Sequence, residues 1–306
     1  MIVHFDVSSQ FSHLLKGQKY SFSLESNNLP KIKNLKKIQI ITLKSTSKIS
    51  QRIIEKMPSL KAVIARTVGV DNIDLKKCKQ KNIAVYHIPD YGAFAIAEHV
   101  FAMLLSQTRK ITNLSKETKS GRFSYKNGQG YTLKGKTLGI IGVGKTGKEV
   151  VRIAQGFQMN ILGFDQAKDY EFAKKYNFKY ASLGDLLKKS DIITINIPLT
   201  KKTRHLINSK TIKQMKKNII LINVSRGEII DTKALLGNVD RFKYICLDVL
   251  EDEKKFSKKN PLLNFKNILI TPHCAFFTDQ TTQNIANLTN QNILNFLSNK
   301  NENRVV

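Results

Sequence analysis

Short runs of Ile, Leu, Val and Ala recur along the chain between polar, lysine-rich stretches, and their spacing is the first guide to the fold. In the middle, TLGII is followed by a glycine turn, by KEVVRIAQGF with apolar positions at helical spacing, and by a second apolar run, NILGFD. The alternation continues through the helix candidates YEFAKKYN, DLLKKS, TIKQMKK and TKALLGNV and the strand candidates DIITINIP, NIILINVS, YICLDVL and NILITPH. These strand candidates are apolar at consecutive rather than alternate positions, which predicts parallel strands covered on both faces. Strand and helix taking turns in this way predicts a doubly wound α/β domain.

The first hundred residues repeat the alternation more loosely. MIVHFDV, KIQIITL, LKAVIART and NIAVYHIP are strand candidates, with ISQRIIEKM and DLKKCKQK as helices between them. From about Ala95 to Thr112 the pattern predicts one long helix with basic residues late in it, where the helix dipole favours them. A second long helix, TTQNIANLTNQNILNFL, follows the last strand candidate. The simplest assembly is a discontinuous substrate domain from residues 1–98 plus 280–306 and a nucleotide domain from residues 99–279. With no Pro/Gly/Ser-rich linker, the boundaries run through the two long helices.

Composition narrows the classes. At 306 residues the chain is long for a single core. No apolar run approaches the roughly 20 residues that cross a bilayer, and MIVHFDVSSQFSHLL, broken by Asp6 and two histidines, reads as an opening strand rather than a signal peptide. Three scattered cysteines, Cys78, Cys246 and Cys274, imply no disulfide framework and fit a reducing, cytoplasmic setting. Lys and Arg number 51 against 23 acidic residues, a net charge of +28. The lysines are spread along the whole chain with no basic arm, zinc knuckle or aromatic RNA-binding motif. They are read as a solvated surface that helps gather anionic ligands, with no specific nucleic acid or membrane partner. His4, His13, His87 and His99 show no metal-ligand spacing, so no metal site is expected.

Gly142, Gly144 and Gly147 form Gly-x-Gly-x-x-Gly between a strand and a helix. The first glycine permits the tight turn, the second lets backbone N–H groups reach a pyrophosphate, and the third allows close packing of helix on strand. Asp165 ends the next strand, where a carboxylate can bind the adenine ribose hydroxyls and repel a 2′-phosphate. NAD is therefore expected over NADP, although Lys168 lies near. The alternative for Asp165 is an ordinary strand-end turn.

Hydride transfer to a keto acid needs a cation for the carboxylate and carbonyl, a proton donor for the developing alkoxide, and a partner that keeps the donor protonated. Three residues at strand ends supply these types: Arg226 in VSRG, Glu253 in DVLEDE and His273 in TPHCAFFT. Each alone reads more readily as a surface charge, an acidic loop or a turn histidine. Together behind a dinucleotide fingerprint they read as catalytic.

The segments GIIGVGKTG, INVSRGEIID, LDVLEDE and TPHCAFFT, with RTVGVDNIDL earlier, resemble in order and spacing the D-isomer-specific 2-hydroxyacid dehydrogenases over about residues 60 to 280. The resemblance implies two Rossmann-like α/β domains with parallel sheets, a flavodoxin-like substrate domain and an NAD-binding domain, with the active site in the cleft between them. It makes Arg226 the carboxylate clamp, His273 the acid/base and Glu253 its partner, chosen over Glu251 by the family's spacing from Asp248. It places the backbone amides of Val68 and Gly69 on the substrate carboxylate. Around the dinucleotide it places Lys145 and Thr146 in the fingerprint, Asn196 and Pro198, Thr203, the strand-end pair Val224 and Ser225, and Asp248.

IPDYGAFAIAEH and HCAFFT resemble the D-lactate dehydrogenase-like subgroup, which implies substrate contacts for Tyr91 and Phe276. Gly92-Ala93-Phe94 stands where that subgroup has Ser-Pro-Asn, and Phe276 is equally well a core residue. His205 also fits the subgroup. The expected activity is reduction of a small 2-keto acid, pyruvate first, by a homodimer built on the helix from about Ala95. The alternatives are D-3-phosphoglycerate, glyoxylate or hydroxypyruvate dehydrogenases and, in another class, an NAD-sensing corepressor. The chain's stop at Val306 is read against the phosphoglycerate type, and an acidic residue at position 253 against formate enzymes.

Overall fold

The computed structural model describes residues 1–8 and 12–306, so residues 9–11 of the opening stretch lie outside it. It forms two compact units, Met1–Gly92 with Phe277–Val306, and Ala93–Phe276. The division falls at 92/93 and 276/277 rather than at the expected 98/99 and 279/280. The reason is packing: Ala97, Val100, Phe101, Met103 and Leu104 are buried in the core of the second unit, so the whole helix that carries them goes with it.

The first unit is a five-stranded parallel sheet of β1 (Ile2–His4), β2 (Gln18–Lys19), β3 (Ile40–Leu43), β4 (Ala62–Ala65) and β5 (Ala84–Tyr86), in the order β2-β1-β3-β4-β5. That is the flavodoxin-like order. Alternate residues of one strand enter different cores. Val63 and Ala65 join a cluster with Phe5, Leu43 and Ile53, while Ala62 and Ile64 face Tyr86 and Ile293. Two covered faces are why the strand reads as an unbroken apolar run. Ile293 comes from the helix Asp279–Leu297, and the last residues add to β5, Val305 N–H donating to Val85 O at 2.7 Å.

The second unit has seven parallel strands: β6 (Thr137–Ile141), β7 (Asn160–Phe164), β8 (Lys179–Tyr180), β9 (Ile192–Ile195), β10 (Ile219–Asn223), β11 (Phe242–Leu247) and β12 (Ile268–Ile270). Their order is β12-β11-β10-β9-β6-β7-β8. The chain reverses direction across the sheet at β6, the switch point beside which an open α/β sheet binds its ligand, at the carboxyl ends of the strands. The expected helix through Thr112 ends at Thr108 instead. Lys110 takes a left-handed conformation (φ 53°) and a separate helix, Ile111–Lys119, begins after it, so Arg109 and Lys110 sit in a turn and no basic residue lies in the first helix's last turn. Among the described residues no helix is long and apolar enough to cross a membrane.

Candidate active site

All three expected catalytic side chains belong to the second unit, each on the loop that follows its strand. β10 ends in Asn223, a fully buried polar residue whose amide fixes the next turn: its Nδ2 donates to Arg226 O at 2.8 Å and its Oδ1 accepts from Ser225 N–H at 3.0 Å. Ser225 in turn donates its hydroxyl to Ile197 O, which ties this turn to the one after β9. Gly227 lies against the backbone of Leu250 and Glu251, where a Cβ would stand 1.9 Å from the Leu250 carbonyl carbon. Only glycine lets the Arg226 turn close on the loop that carries Glu253.

β12 leads to His273, which adopts a left-handed backbone (φ 53°), costly for a residue with a side chain. Asp248, at the end of β11, over-determines that turn. Its carbonyl accepts from His273 N–H at 2.8 Å, its Oδ1 from Cys274 N–H at 2.9 Å and Thr271 Oγ1 at 2.5 Å, and its Oδ2 from Ala275 N–H at 2.9 Å. The side chain of Asp248 is fully enclosed, and its carboxylate oxygens are engaged by the turn. His99, from the helix Ala93–Thr108, completes the cluster with Nε2 3.1 Å from Thr271 Oγ1 and 3.6 Å from Asp248 Oδ1.

On this support His273 Nδ1 meets Glu253 Oε1 at 2.9 Å, with both side chains part-exposed. Glu251 faces elsewhere: its Oε1 meets His205 Nε2 at 2.7 Å and its Oε2 accepts from Thr232 N–H at 3.1 Å. Geometry thus separates two carboxylates that the sequence distinguishes only by family spacing. Burial pushes the Glu253 carboxyl up, but the hydrogen bond and charge of His273, with a smaller contribution from Arg226, outweigh it and hold the group below the ordinary carboxylate range. With Nδ1 taken, the His273 atom left for proton transfer is Nε2.

The glycine loop fits a dinucleotide. Gly142 has φ 95°, and a Cβ on it would meet Asn196 O at 2.8 Å. One on Gly147 would fall 2.0 Å from Gly142 O, whereas Gly144 faces open space. The helix Lys145–Gly156 that follows has no side-chain cap at Gly144, leaving its amino end to an anion. Asn196 Nδ2, beside this loop, is buried without a partner among the described residues, a donor that awaits a ligand acceptor. Asp165 accepts from Val143 N–H at 2.7 Å and Ala167 N–H at 2.9 Å, which holds its carboxylate at the loop. Lys145 is exposed and Thr146 part-buried at the helix start, and Val224 is 8% exposed at the end of β10. Thr203 bridges its own turn, donating to Pro198 O at 2.7 Å.

Of the expected substrate contacts, Val68, Gly69 and Tyr91 belong to the first unit and Phe276 to the second. In the first unit Val68 O accepts from His87 at 2.8 Å and Gly69 O from Thr67 Oγ1 at 2.7 Å, which fixes their loop. Tyr91 is part-exposed and precedes Gly92, whose Cβ would come 2.7 Å from Thr281 Oγ1. The glycine that departs from the subgroup's turn is therefore required by the helix packed on it. Phe276, part-exposed, is the last residue of the second unit. Asn223, His99 and Thr271 were not anticipated. A polar residue closing an otherwise apolar strand, as in IILIN, is the one signal that pointed to the first.

The family described as "D-isomer specific 2-hydroxyacid dehydrogenase, NAD binding domain" matches residues 101–275. A D-3-phosphoglycerate dehydrogenase of Methanocaldococcus jannaschii is 36% identical over 252 residues, 81% of this chain but 48% of that protein, so the chain spans about half of that relative's length. A glyoxylate reductase of Pyrococcus furiosus is 33% identical over 285 residues, 89% of this chain and 84% of that protein. A crystal structure of D-lactate dehydrogenase from Aquifex aeolicus complexed with NAD and lactic acid superimposes with a TM-score of 0.89 at 32% identity, covering 100% of this chain and 99% of that one. On the strength of the family match and of these likenesses across most of its length, the chain belongs to the D-isomer-specific 2-hydroxyacid dehydrogenases, NAD-dependent oxidoreductases.

Proposed function

We propose that the protein reduces a small aliphatic 2-keto acid, pyruvate foremost, to its D-2-hydroxy acid. The observation that carries this reading is the pair His273 Nδ1–Glu253 Oε1 at 2.9 Å, with the Arg226 guanidinium acting on the same carboxylate. When bound, NADH supplies the hydride for the keto carbon. His273 Nε2 gives its proton to the keto oxygen as charge develops there, and Glu253 stabilises the imidazolium before that step. Arg226 binds the substrate carboxylate and polarises the carbonyl, with the amides of Val68 and Gly69 assigned to the same carboxylate. Tyr91 and Phe276 are assigned to the substrate's apolar end. Lys145, Thr146, Asp165, Asn196, Pro198, Thr203, Val224 and Ser225 are assigned to the dinucleotide.

Pyruvate leads because the lactate-type turns support it, as does the similarity to the D-lactate dehydrogenase structure. The named activities of the sequence relatives favour glyoxylate or hydroxypyruvate as the second reading. Ranking pyruvate, 2-ketobutyrate, glyoxylate, hydroxypyruvate and 3-phosphohydroxypyruvate by kcat/KM with NADH tests both. Pyruvate or 2-ketobutyrate is expected first, and glyoxylate ahead of them by tenfold would overturn the substrate assignment.

We also propose a homodimer, on a revised footing. The apolar stripe of the helix Ala93–Thr108 faces its own core. Large apolar groups are instead exposed in the following segment, at Ile111 (55%), Phe123 (95%) and Tyr125 (89%). Sedimentation equilibrium should give twice the mass of 34.7 kDa, and a monomer at working concentration would dismiss the dimer.

A further inference from the structure

We propose that His99, Asp248 and Cys274 form a site for a borderline-soft divalent cation such as zinc, placed behind the catalytic turn. Nε2 of His99, a carboxylate oxygen of Asp248 and Sγ of Cys274 all lie within 4.8 Å of one another. Zinc binds imidazole nitrogen and carboxylate oxygen at about 2.0–2.2 Å and thiolate sulfur at about 2.3 Å, so tetrahedral ligand atoms stand roughly 3.3–3.8 Å apart. His99 Nε2 and Asp248 Oδ1 are already 3.6 Å apart. Imidazole, carboxylate and thiol together are a donor set suited to zinc and poorly suited to calcium or magnesium.

The three donors arrive on separate elements: the helix Ala93–Thr108, the end of β11 and the turn after β12. The Asp248 side chain is fully enclosed, and the neutral Thr271 hydroxyl, two backbone amides and the Cys274 thiol hydrogen-bond it, with the His99 ring beside its charge. A cation here would gain from that charge and from the thiolate, whose proton passes to solvent on binding.

The site bears directly on the reaction. Asp248 Oδ1 holds the Thr271 hydroxyl and the Cys274 amide, and the Asp248 carbonyl holds the amide of His273. An ion that takes Oδ1 and Sγ competes with the bonds that keep His273 in its left-handed conformation. Binding therefore withdraws the imidazole from its working position, and the cation acts as a reversible inhibitor through the turn rather than through the dinucleotide.

The test is cobalt titration of the full-length protein, read by the near-ultraviolet thiolate-to-cobalt charge-transfer band. A band saturating at one equivalent, displaced by zinc and absent from Cys274→Ala, is expected. The other two thiols, Cys78 and Cys246, are buried and stay silent. His99→Gln should weaken cobalt binding by at least about tenfold. Zinc should inhibit NADH oxidation reversibly, with a chelator restoring turnover and the midpoint at least about tenfold higher in Cys274→Ala. No band, or a band that persists in Cys274→Ala, overturns the site. Equal zinc inhibition of both proteins overturns its link to the turn. Circular dichroism checks that each variant folds, and Cys274→Ser replaces the alanine variant if it does not. The cobalt spectrum needs no substrate, so this proposal and the substrate assignment can fail separately.

Discussion

Glu253 and Glu251 stand two positions apart, yet each is committed to a different histidine, Glu253 to His273 and Glu251 to His205. Replacing Glu253 by Gln keeps the side chain's shape and removes the charge that stabilises an imidazolium. We expect kcat to fall on the order of 100-fold while NADH binding, read by fluorescence, is unchanged. Near-normal turnover would remove Glu253 from the mechanism. His4 offers a second test at this scale. It is fully buried, with Nδ1 2.9 Å from Thr42 Oγ1 and Nε2 2.8 Å from Lys16 O, and burial, reinforced by the charges of Arg66 and Lys19, pushes its pKa from 6.5 down to about 4. The folded chain thus refuses a proton that the unfolded chain accepts. Stability should fall as pH drops from about 6.5 toward 4 and be unaffected by this group above that window, with a full effect on the order of 3 kcal/mol. Thermal unfolding between pH 6.5 and 5 should show the descent in the wild type and a flatter curve in His4→Gln; the same descent in both would count against it.

Among the elements, the turn after β10 is the most demanding of its sequence. Gly227 meets backbone atoms of Leu250 and Glu251, which cannot move aside as a flexible side chain could. Gly227→Ala is therefore expected to separate the Arg226 turn from the Glu253 loop, lowering kcat/KM at least tenfold and the melting temperature by several degrees. An alanine variant with wild-type kinetics would show that this contact is dispensable. Strands such as β4 and β9 were legible in the sequence because both faces are covered, so β4 is apolar throughout and β9 is broken only by Thr194. The pairs β2 and β8 were not, since two polar or half-buried residues carry no period. Nor was the end of the long helix at Thr108, where the break falls at Lys110 without glycine or proline to announce it. Arg226, Glu253 and His273 were readable as chemistry at strand ends. Asn223 left one trace, a polar residue closing an apolar strand, whereas Asp248 was not readable as the residue that shapes the His273 turn, because its bonds reach residues 23 to 27 positions away and leave no spacing in the chain.

The molecule as a whole joins a 2-1-3-4-5 sheet to a 3-2-1-4-5-6 sheet extended by one strand, and the longer one alone holds the dinucleotide loop and the imidazole–carboxylate pair. The first unit is completed only by residues from the far end of the chain: Ile293 covers β4 and Val305 pairs with β5. During synthesis this imposes an order. Residues 93–276 leave the ribosome with everything their core requires, while the earlier strands must wait, one face bare, for a helix not yet translated. The half of the protein made first is the half that finishes last, and for that interval its open β5 edge is the part of the nascent chain most exposed to wrong pairing.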